Sequence, residues 1–361
     1  MAAPRPLAAL ASVLLAGTAA AFSPDRGELP GGGSFAALKP AAWSQDRLLL
    51  VAPPQRTDDQ PAVPSLESSH PLIGPLLADG WMVATVGYRR TGIVLRDGLE
   101  DLAQLRALLA QRHGPADRTY VLGEGLGSGI AVRAVEHRPD DFNGAVAVGG
   151  PFDLQEPAPT IGISFTPQRP LLLLPNQSEN HAPLGYAAAA AGAADRPVVW
   201  TIRRDGRGNT RAAEKLAALG ALVRWVEDGV VPRADFDPTI PAPPRPSAAR
   251  FSDDNSAVTG RVTAVDPLRG DLVLDLQPAD LERVGVDRGA FFALVLPGSA
   301  GPDRIIRVLH GQNLRDAKRG DWSALPEAEG GLLLFVHRGS AAANAGLRAG
   351  DPVTIRRLRG D

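Results

Sequence analysis

Cysteine is absent from the 361-residue chain, which excludes disulfides, thiolate metal sites and cysteine nucleophiles. A basic excess is absent too: 38 Lys and Arg are set against 40 Asp and Glu, and the net charge is -2. This balance argues against a nucleic-acid partner or an anionic membrane partner. Histidine, Asp and Glu form no cluster at metal-ligand spacing. The sequence therefore predicts no metal and no other cofactor.

The composition that is present, 44% hydrophobic and 22% charged residues, supports a packed core and a length suited to two domains. The first residues are typical of export. Arg5 supplies positive charge, residues 7–16 are mostly apolar, and small residues precede Phe22. We expect a signal peptide over residues 1–21 and a periplasmic or secreted protein. An uncleaved membrane anchor is the alternative; after cleavage no membrane contact is expected.

Short apolar runs alternate with helical patterns over residues 35–232. Such alternation predicts an α/β fold with a mostly parallel sheet covered by helices on both faces. Residues 24–34 have the composition of a loop. Strands are expected at 47–51, 81–86, 120–122, 145–148, 170–174 and 197–202, and helices at 72–77, 99–111, 130–135 and 212–226.

Six prolines between Pro232 and Pro246 interrupt this alternation, and residues 233–250 are interpreted as a semi-rigid linker. Residues 251–361 are expected to form a smaller all-β antiparallel barrel, because short strands follow one another without helices. Its strands are expected at 258–265, 272–276, 291–295, 305–309, 332–337 and 352–356.

The most informative motif is a glycine-dense turn between the strand at 120–122 and the following helix. It reads Gly123-Glu124-Gly125-Leu126-Gly127. This segment resembles the nucleophile elbow of the α/β-hydrolase superfamily, in which Gly-x-Ser-x-Gly presents the reactive serine. Here Gly125 stands at the serine position and has no side chain to attack a carbonyl.

The resemblance implies two further catalytic positions in chain order. Glu179 follows the strand at 170–174 and stands at the acid position. Arg207 stands at the histidine position, ahead of a helix ending Trp225-Val226-Glu227-Asp228-Gly229. Arginine stays protonated at physiological pH and cannot act as a general base. The covalent serine route is therefore expected to be lost.

Alternative catalytic groups exist in the sequence. Ser128 lies three residues past the nucleophile position, and His181 lies two residues past Glu179. An active esterase or peptidase-like hydrolase would use Ser128, or would activate water through Glu124 or Glu179. A helix-start serine and a surface-loop histidine are the structural interpretations of the first two.

A binding site can survive the loss of catalysis. The resemblance implies an oxyanion-hole amide from the loop after the strand at 47–51, beside the elbow. The predicted ligand-binding residues are Ala52, Pro53, Gly123, Glu124, Gly125 and Leu126. The glycines also permit a phosphate site, but no ribose-binding acid follows at the expected distance.

Residues 258–357 resemble the C-terminal barrel of the SAM hydroxide adenosyltransferases, related to fluorinase and chlorinase. The matching pieces are residues 260–266, 268–273, 336–343 and 347–353. The family turn Phe-Gly-Asn is here Arg269-Gly270-Asp271, so the aromatic and the amide near adenine are both replaced. An adenosine or SAM-type ligand on this barrel is the third hypothesis.

The first hypothesis is thus an exported hydrolase-fold protein without serine-hydrolase catalysis, acting as a binding or scaffolding module for a small molecule or a protein. The second is a hydrolase with an unorthodox nucleophile. The sequence does not determine the ligand or the oligomeric state.

Overall fold

The structure of the protein is a computed structural model. It describes residues 22–54, 64, 66–149, 162–241, 247–266, 270–296, 303–312, 316–318, 320–337 and 339–358. The predicted signal peptide, residues 1–21, lies outside the described residues. Within these ranges, none of the helices combines the length and the apolar character needed to cross a bilayer.

The first sheet has eight strands in the order β1-β2-β4-β3-β5-β6-β7-β8. Strands β1 and β2 run antiparallel to their neighbours, and all pairings from β4 to β8 are parallel. The central strands are leucine- and valine-rich and buried on both faces, as parallel strands require. The strands are β1 (Phe22–Glu28), β2 (Ser34–Pro40), β3 (Arg47–Ala52), β4 (Met82–Gly87), β5 (Arg118–Glu124), β6 (Gly144–Val148), β7 (Leu171–Leu174) and β8 (Val198–Val199).

Helices cover both faces of this sheet. The helices are α1 (Ile73–Ala78), α2 (Leu95–His113), α3 (Leu126–His137), α4 (His181–Ala189) and α5 (Ala212–Asp228). Helices α2, α3 and α4 pack in one apolar core, and α1 and α5 pack in the other. Successive strand residues alternate between the two cores: Val121 lies in the first, and Tyr120 and Leu122 lie in the second. The predicted α/β fold class is confirmed.

Two local predictions for this part are wrong. Residues 24–28, interpreted as loop, belong to β1, which pairs with β2 over the full register from Phe22–Pro40 to Glu28–Ser34. The strand is an exposed edge strand, where proline and charged residues are tolerated, so its sequence carries no apolar alternation. His181 begins helix α4 instead of lying in a loop, and the alanine-rich sequence of α4 carries little periodic signal.

The second sheet has the order β11-β15-β14-β13-β12-β16-β10-β9, and a further β10–β11 pairing closes a seven-stranded barrel. The predicted β-barrel is therefore confirmed. Its interior is an apolar cluster that includes Phe292, Leu294 and Leu334. The strands are β9 (Arg250–Phe251), β10 (Ala257–Val265), β11 (Leu272–Leu274), β12 (Phe291–Leu296), β13 (Arg304–His310), β14 (Trp322–Pro326), β15 (Leu332–Val336) and β16 (Pro352–Arg357).

The barrel departs from the predicted all-antiparallel, helix-free pattern in two respects. Strand β14 was not predicted, and it pairs parallel with β13. Two short helices, α6 (Pro278–Arg283) and α7 (Ala341–Ala345), lie between strands. Both begin with side-chain caps, Gln277 with Asp280 for α6 and Ser340 for α7. Caps of this kind stabilise helices too short to show hydrophobic periodicity.

Candidate functional site

The elbow keeps the backbone of a tight strand-to-helix turn. Gly125 lies between β5 and α3 with φ 54° and ψ −119°, a region that glycine enters without steric cost. Its amide donates to the carbonyl of Val148 at 3.3 Å. Residue 125, for which the sequence resemblance implies a serine, is thus a glycine with a positive φ, and it carries no reactive group.

Close backbone contacts require the two flanking glycines. A Cβ on Gly123 would lie 1.9 Å from the carbonyl oxygen of Gly127. A Cβ on Gly127 would lie 1.9 Å from the carbonyl oxygen of Ala52. The start of α3 is therefore packed directly on the end of β3. This contact brings together the predicted ligand-binding groups, the loop after β3 and the elbow.

The loop after β3 is fixed by a buried tyrosine. The Tyr88 hydroxyl donates to the Pro53 carbonyl oxygen at 2.8 Å. Burial, with the nearby Asp101 charge, raises the pKa of Tyr88 well above its ordinary value, so the phenol stays a neutral donor. Pro54, next in this loop, lies 3.2 Å from the Cβ that a side chain at residue 125 would have.

Neither Ser128 nor His181 is placed as a catalytic nucleophile or base. Ser128 is fully buried, and its hydroxyl donates to the Gly125 carbonyl oxygen at 2.7 Å. His181 is exposed at the first position of α4. Over the described ranges, no serine, histidine and carboxylate form a hydrogen-bonded trio. Ser128 instead closes the first turn of α3.

Glu124 forms an ion pair next to the elbow. Its carboxylate accepts a hydrogen bond from Lys215 on α5 at 2.6 Å, and both side chains are mostly buried. The pair joins the end of β5 to α5, on the face opposite α3. The Glu124 carboxylate is thus engaged by a cation from the neighbouring helix.

Glu179 contacts the loop that contains Arg207. One carboxylate oxygen accepts from Asn176 Nδ2 at 2.9 Å and from the Gly208 amide at 3.0 Å. Asn176 is fully buried and also donates to the Gly206 carbonyl oxygen at 3.0 Å. The acid position and residues 206–208 are therefore in direct contact, but the acid binds backbone where a hydrolase would orient an imidazole.

Arg207 points to the barrel. Its guanidinium lies 3.3 Å from the Asp271 carboxylate and stacks 5.1 Å from the Phe335 ring centroid. Asp271 is 1% exposed, so its charge needs a cation nearby. Sequence reasoning identified the position of Arg207 but not its partner, because the contact joins residues 64 positions apart.

The turn singled out by the barrel resemblance is partly described. Arg269 and Arg338 lie outside the described residues. Gly270, at φ 67°, lies against Ser340, since an added Cβ would meet Ser340 Oγ at 2.1 Å. Its carbonyl oxygen accepts from the Ala342 amide at 2.9 Å. These two matching pieces thus pack on each other, with no space for an adenine ring between Gly270 and Ser340.

The end of α5, residues 225–229, has a structural role. Glu227 accepts hydrogen bonds from Arg47 at 2.9 and 2.7 Å and from Tyr120 at 2.9 Å. Burial alone would raise the pKa of Glu227, but these hydrogen bonds and the Arg47 charge hold it below its ordinary value. Glu227 therefore ties α5 to the starts of β3 and β5, away from the elbow.

A groove of about 540 Å³ opens at that same far edge of the sheet. It is not the predicted ligand site. Its lining residues include Arg118, Asn143, Arg169, Asp195 and Trp225. Elsewhere in the described part, no three His, Asp or Glu side chains are grouped so as to hold a metal ion.

Similarity between the chain and known proteins is found among solved structures. No protein-family model matches it, and no curated protein matches it in sequence. Among solved structures, the Pyrococcus furiosus esterase Pf2001 is 12% identical, with a TM-score of 0.45 over 57% of this chain and 91% of the esterase. Dienelactone hydrolase from Anabaena variabilis is 15% identical, with a TM-score of 0.44 over 58% of this chain and 98% of that one.

A third similar structure is an uncharacterized conserved protein from Thermotoga maritima, at 17% identity and a TM-score of 0.27. The match covers 33% of this chain and 41% of that protein, so this chain spans less than half of its length.

Proposed function

We propose that the first domain has lost serine-hydrolase catalysis and acts as a binding or scaffolding module. The observation that carries the proposal is Gly125, a residue without a side chain at the turn of the elbow. Support comes from Arg207, which is engaged by Asp271 and Phe335 and remains protonated at physiological pH.

The alternative groups give the proposal further support. Ser128 is buried and bonded to its own helix turn, so its hydroxyl does not face a substrate. Glu124 is paired with Lys215, and Glu179 accepts two N–H groups. Each carboxylate is thus engaged by protein groups, whereas a general base has to reach a water molecule or a substrate.

The ligand class follows from the backbone at the elbow. The amides at the start of α3 and the loop after β3 are brought together by the contact between Gly127 and Ala52. Helix N-termini and oriented amides bind carbonyl or anionic groups. The proposed ligand is accordingly a small carbonyl-containing or anionic molecule, or a protein segment that presents such a group.

Turnover assays test the loss of catalysis. The purified protein is incubated with a panel of short-chain aryl esters and aminoacyl arylamides, beside a Ser128→Ala variant. The expected result is no turnover above buffer in either protein. Turnover by the wild type that disappears in Ser128→Ala would show an active hydrolase with an unorthodox nucleophile.

Export is the second part of the proposal and rests on the sequence of residues 1–21 alone. The mass of the protein recovered from the periplasm or the medium tests it. A mature chain beginning at or near Phe22 is expected. Recovery only from the cell interior, with residues 1–21 retained, would contradict export.

A further inference from the structure

The loop between β8 and α5, residues 200–211, is a segment through which the first domain contacts the barrel. Four of its side chains reach barrel residues. Asp205 accepts from Arg288 at 2.8 Å, and Arg207 lies against Asp271 and Phe335. The remaining two contacts are a hydrogen bond from Asn209 to the Pro326 carbonyl oxygen at 3.3 Å and a two-pronged ion pair between Arg211 and Glu329.

The same loop also holds the segment that leads to the barrel. The Arg203 amide donates to Thr239 Oγ1 at 2.8 Å, and Arg211 donates to the Pro241 carbonyl oxygen at 2.9 Å. Glu214, fully buried at the start of α5, accepts from the Ile240 amide at 2.8 Å. Both the barrel and its connection are thus anchored on one short stretch of chain.

Glu179 and the neighbouring Asn176 hold the β8–α5 loop within the first domain. Glu179 accepts the Gly208 amide, and Asn176 binds the Gly206 carbonyl oxygen, each at 3.0 Å. Gly206 itself has φ 126° and lies against Pro326, since an added Cβ would be 2.5 Å from the Pro326 carbonyl oxygen. The loop is therefore held by Glu179 of the first domain at Gly208 and by the barrel at Gly206.

We infer that the acid and histidine positions form a docking device, in which Glu179 shapes the β8–α5 loop and Arg207 and Arg211 hold the barrel on it. The charges alternate so that each domain contributes both signs: Asp205 and Arg211 pair with Arg288 and Glu329. Glu179 is a positioning residue in this arrangement, because it acts through the Gly208 amide. The device is independent of whether the elbow binds a ligand.

Distance measurements between spin labels on the two domains test the inference in the full chain. The absence of cysteine permits labels at introduced cysteines, Ala188→Cys on α4 and Ala264→Cys on β10, both exposed. The labelled parent should give one narrow distance distribution. Arg207→Ala and Glu179→Ala should each broaden it and lose the single distance, whereas Glu179→Gln keeps an acceptor for Gly208 and should retain it.

A charge reversal provides the specific control. Glu329→Arg alone should broaden the distribution, and adding Arg211→Glu should restore the narrow distance. Arg90→Ala, which removes an exposed pair with Asp97 inside the first domain, should leave it unchanged. Far-UV circular dichroism confirms that each variant is folded. A distribution that stays narrow in folded Arg207→Ala and Glu329→Arg, or one already broad in the parent, would overturn the inference.

Discussion

Two loops at the carboxyl ends of the parallel strands β5 and β8 differ in what they contact. The elbow after β5 keeps its backbone geometry and its packing glycines, but its central residue has no side chain. The loop after β8 has the charged side chain of Arg207 at the histidine position, and that side chain contacts another domain. One turn is therefore fixed by packing within its own domain, and the neighbouring turn is fixed by contacts with the barrel.

The difference follows from what each loop contacts. A Cβ added at Gly123 or at Gly127 would lie 1.9 Å from a carbonyl oxygen, so side chains at these two positions would meet the main chain. The β8–α5 loop contacts its neighbours through long side chains and buried amides. Close packing of backbone atoms fixes the conformation of the elbow, and hydrogen bonds and ion pairs fix the conformation of the β8–α5 loop.

The largest expected effect breaks the elbow. Gly127→Ala places a Cβ 1.9 Å from the Ala52 carbonyl oxygen, and relief requires α3 to separate from β3. We expect a loss of about 3 kcal/mol or more in the free energy of unfolding, measured by denaturant titration. Gly220→Ala on α5, where nothing lies within 4 Å, is the control.

The control should be neutral or should stabilise the protein by up to about 1 kcal/mol, because alanine favours helix. Equal stabilities of the two variants would contradict the steric account of the elbow.

The second-largest expected effect comes from removing a buried hydrogen-bond donor behind the β8–α5 loop. Asn176→Ala removes a fully buried amide that donates to Glu179 and to the Gly206 carbonyl oxygen, and leaves Glu179 with the Gly208 amide and Gly206 with the Ser178 hydroxyl. The free energy of unfolding should fall by roughly 1–3 kcal/mol. Gln177→Ala is the control, since that side chain is exposed and Asp205, to which it donates, keeps its pair with Arg288; its cost should stay within about 0.5 kcal/mol.

A smaller effect sharpens the description of the elbow. Gly125→Ser must adopt φ 54° and brings a Cβ 3.2 Å from Pro54, so it should fold with a cost of about 1–2 kcal/mol. Gly125→Ala should cost the same, because the backbone penalty and the Cβ contact are common to both. Thermal unfolding compares them. Two neutral variants would show that the turn is not left-handed in solution.

The smallest effect lies in the barrel. His310 is fully buried, and its Nδ1 bonds the Val286 carbonyl oxygen at 3.1 Å. Burial lowers the pKa of His310, so the unfolded chain takes up the proton at a higher pH than the folded chain. Stability should fall as the pH drops below about 6.5, by at most about 1.4 kcal/mol per pH unit.

Barrel unfolding followed between pH 8 and pH 5 measures this slope. His310→Phe should flatten it, and His181→Ala, at an exposed position in the first domain, should leave it unchanged. An identical slope in His310→Phe would assign the pH dependence to another group.

Periodicity predicted most of the fold and little of the site. The central strands and the long helices α2 and α5 were predictable, because buried apolar runs and helical spacing are local signals. The edge strand β1 and the parallel partner β14 were not, because their pairing depends on residues far away in the chain. At the site, the glycine at residue 125 was evident from the motif, but nothing local linked Arg207 to Asp271 and Phe335.

Fluorophosphonate labelling followed by peptide mapping tests the proposed absence of a reactive serine most directly. The wild-type protein and the Gly125→Ser variant are treated side by side, and the modified residue is located by mass spectrometry. We predict that the wild type carries no label at any serine, and that residue 125 of the variant also stays unlabelled, because Arg207 cannot act as the base that a reactive serine needs. A label on Ser128 of the wild type would contradict the account.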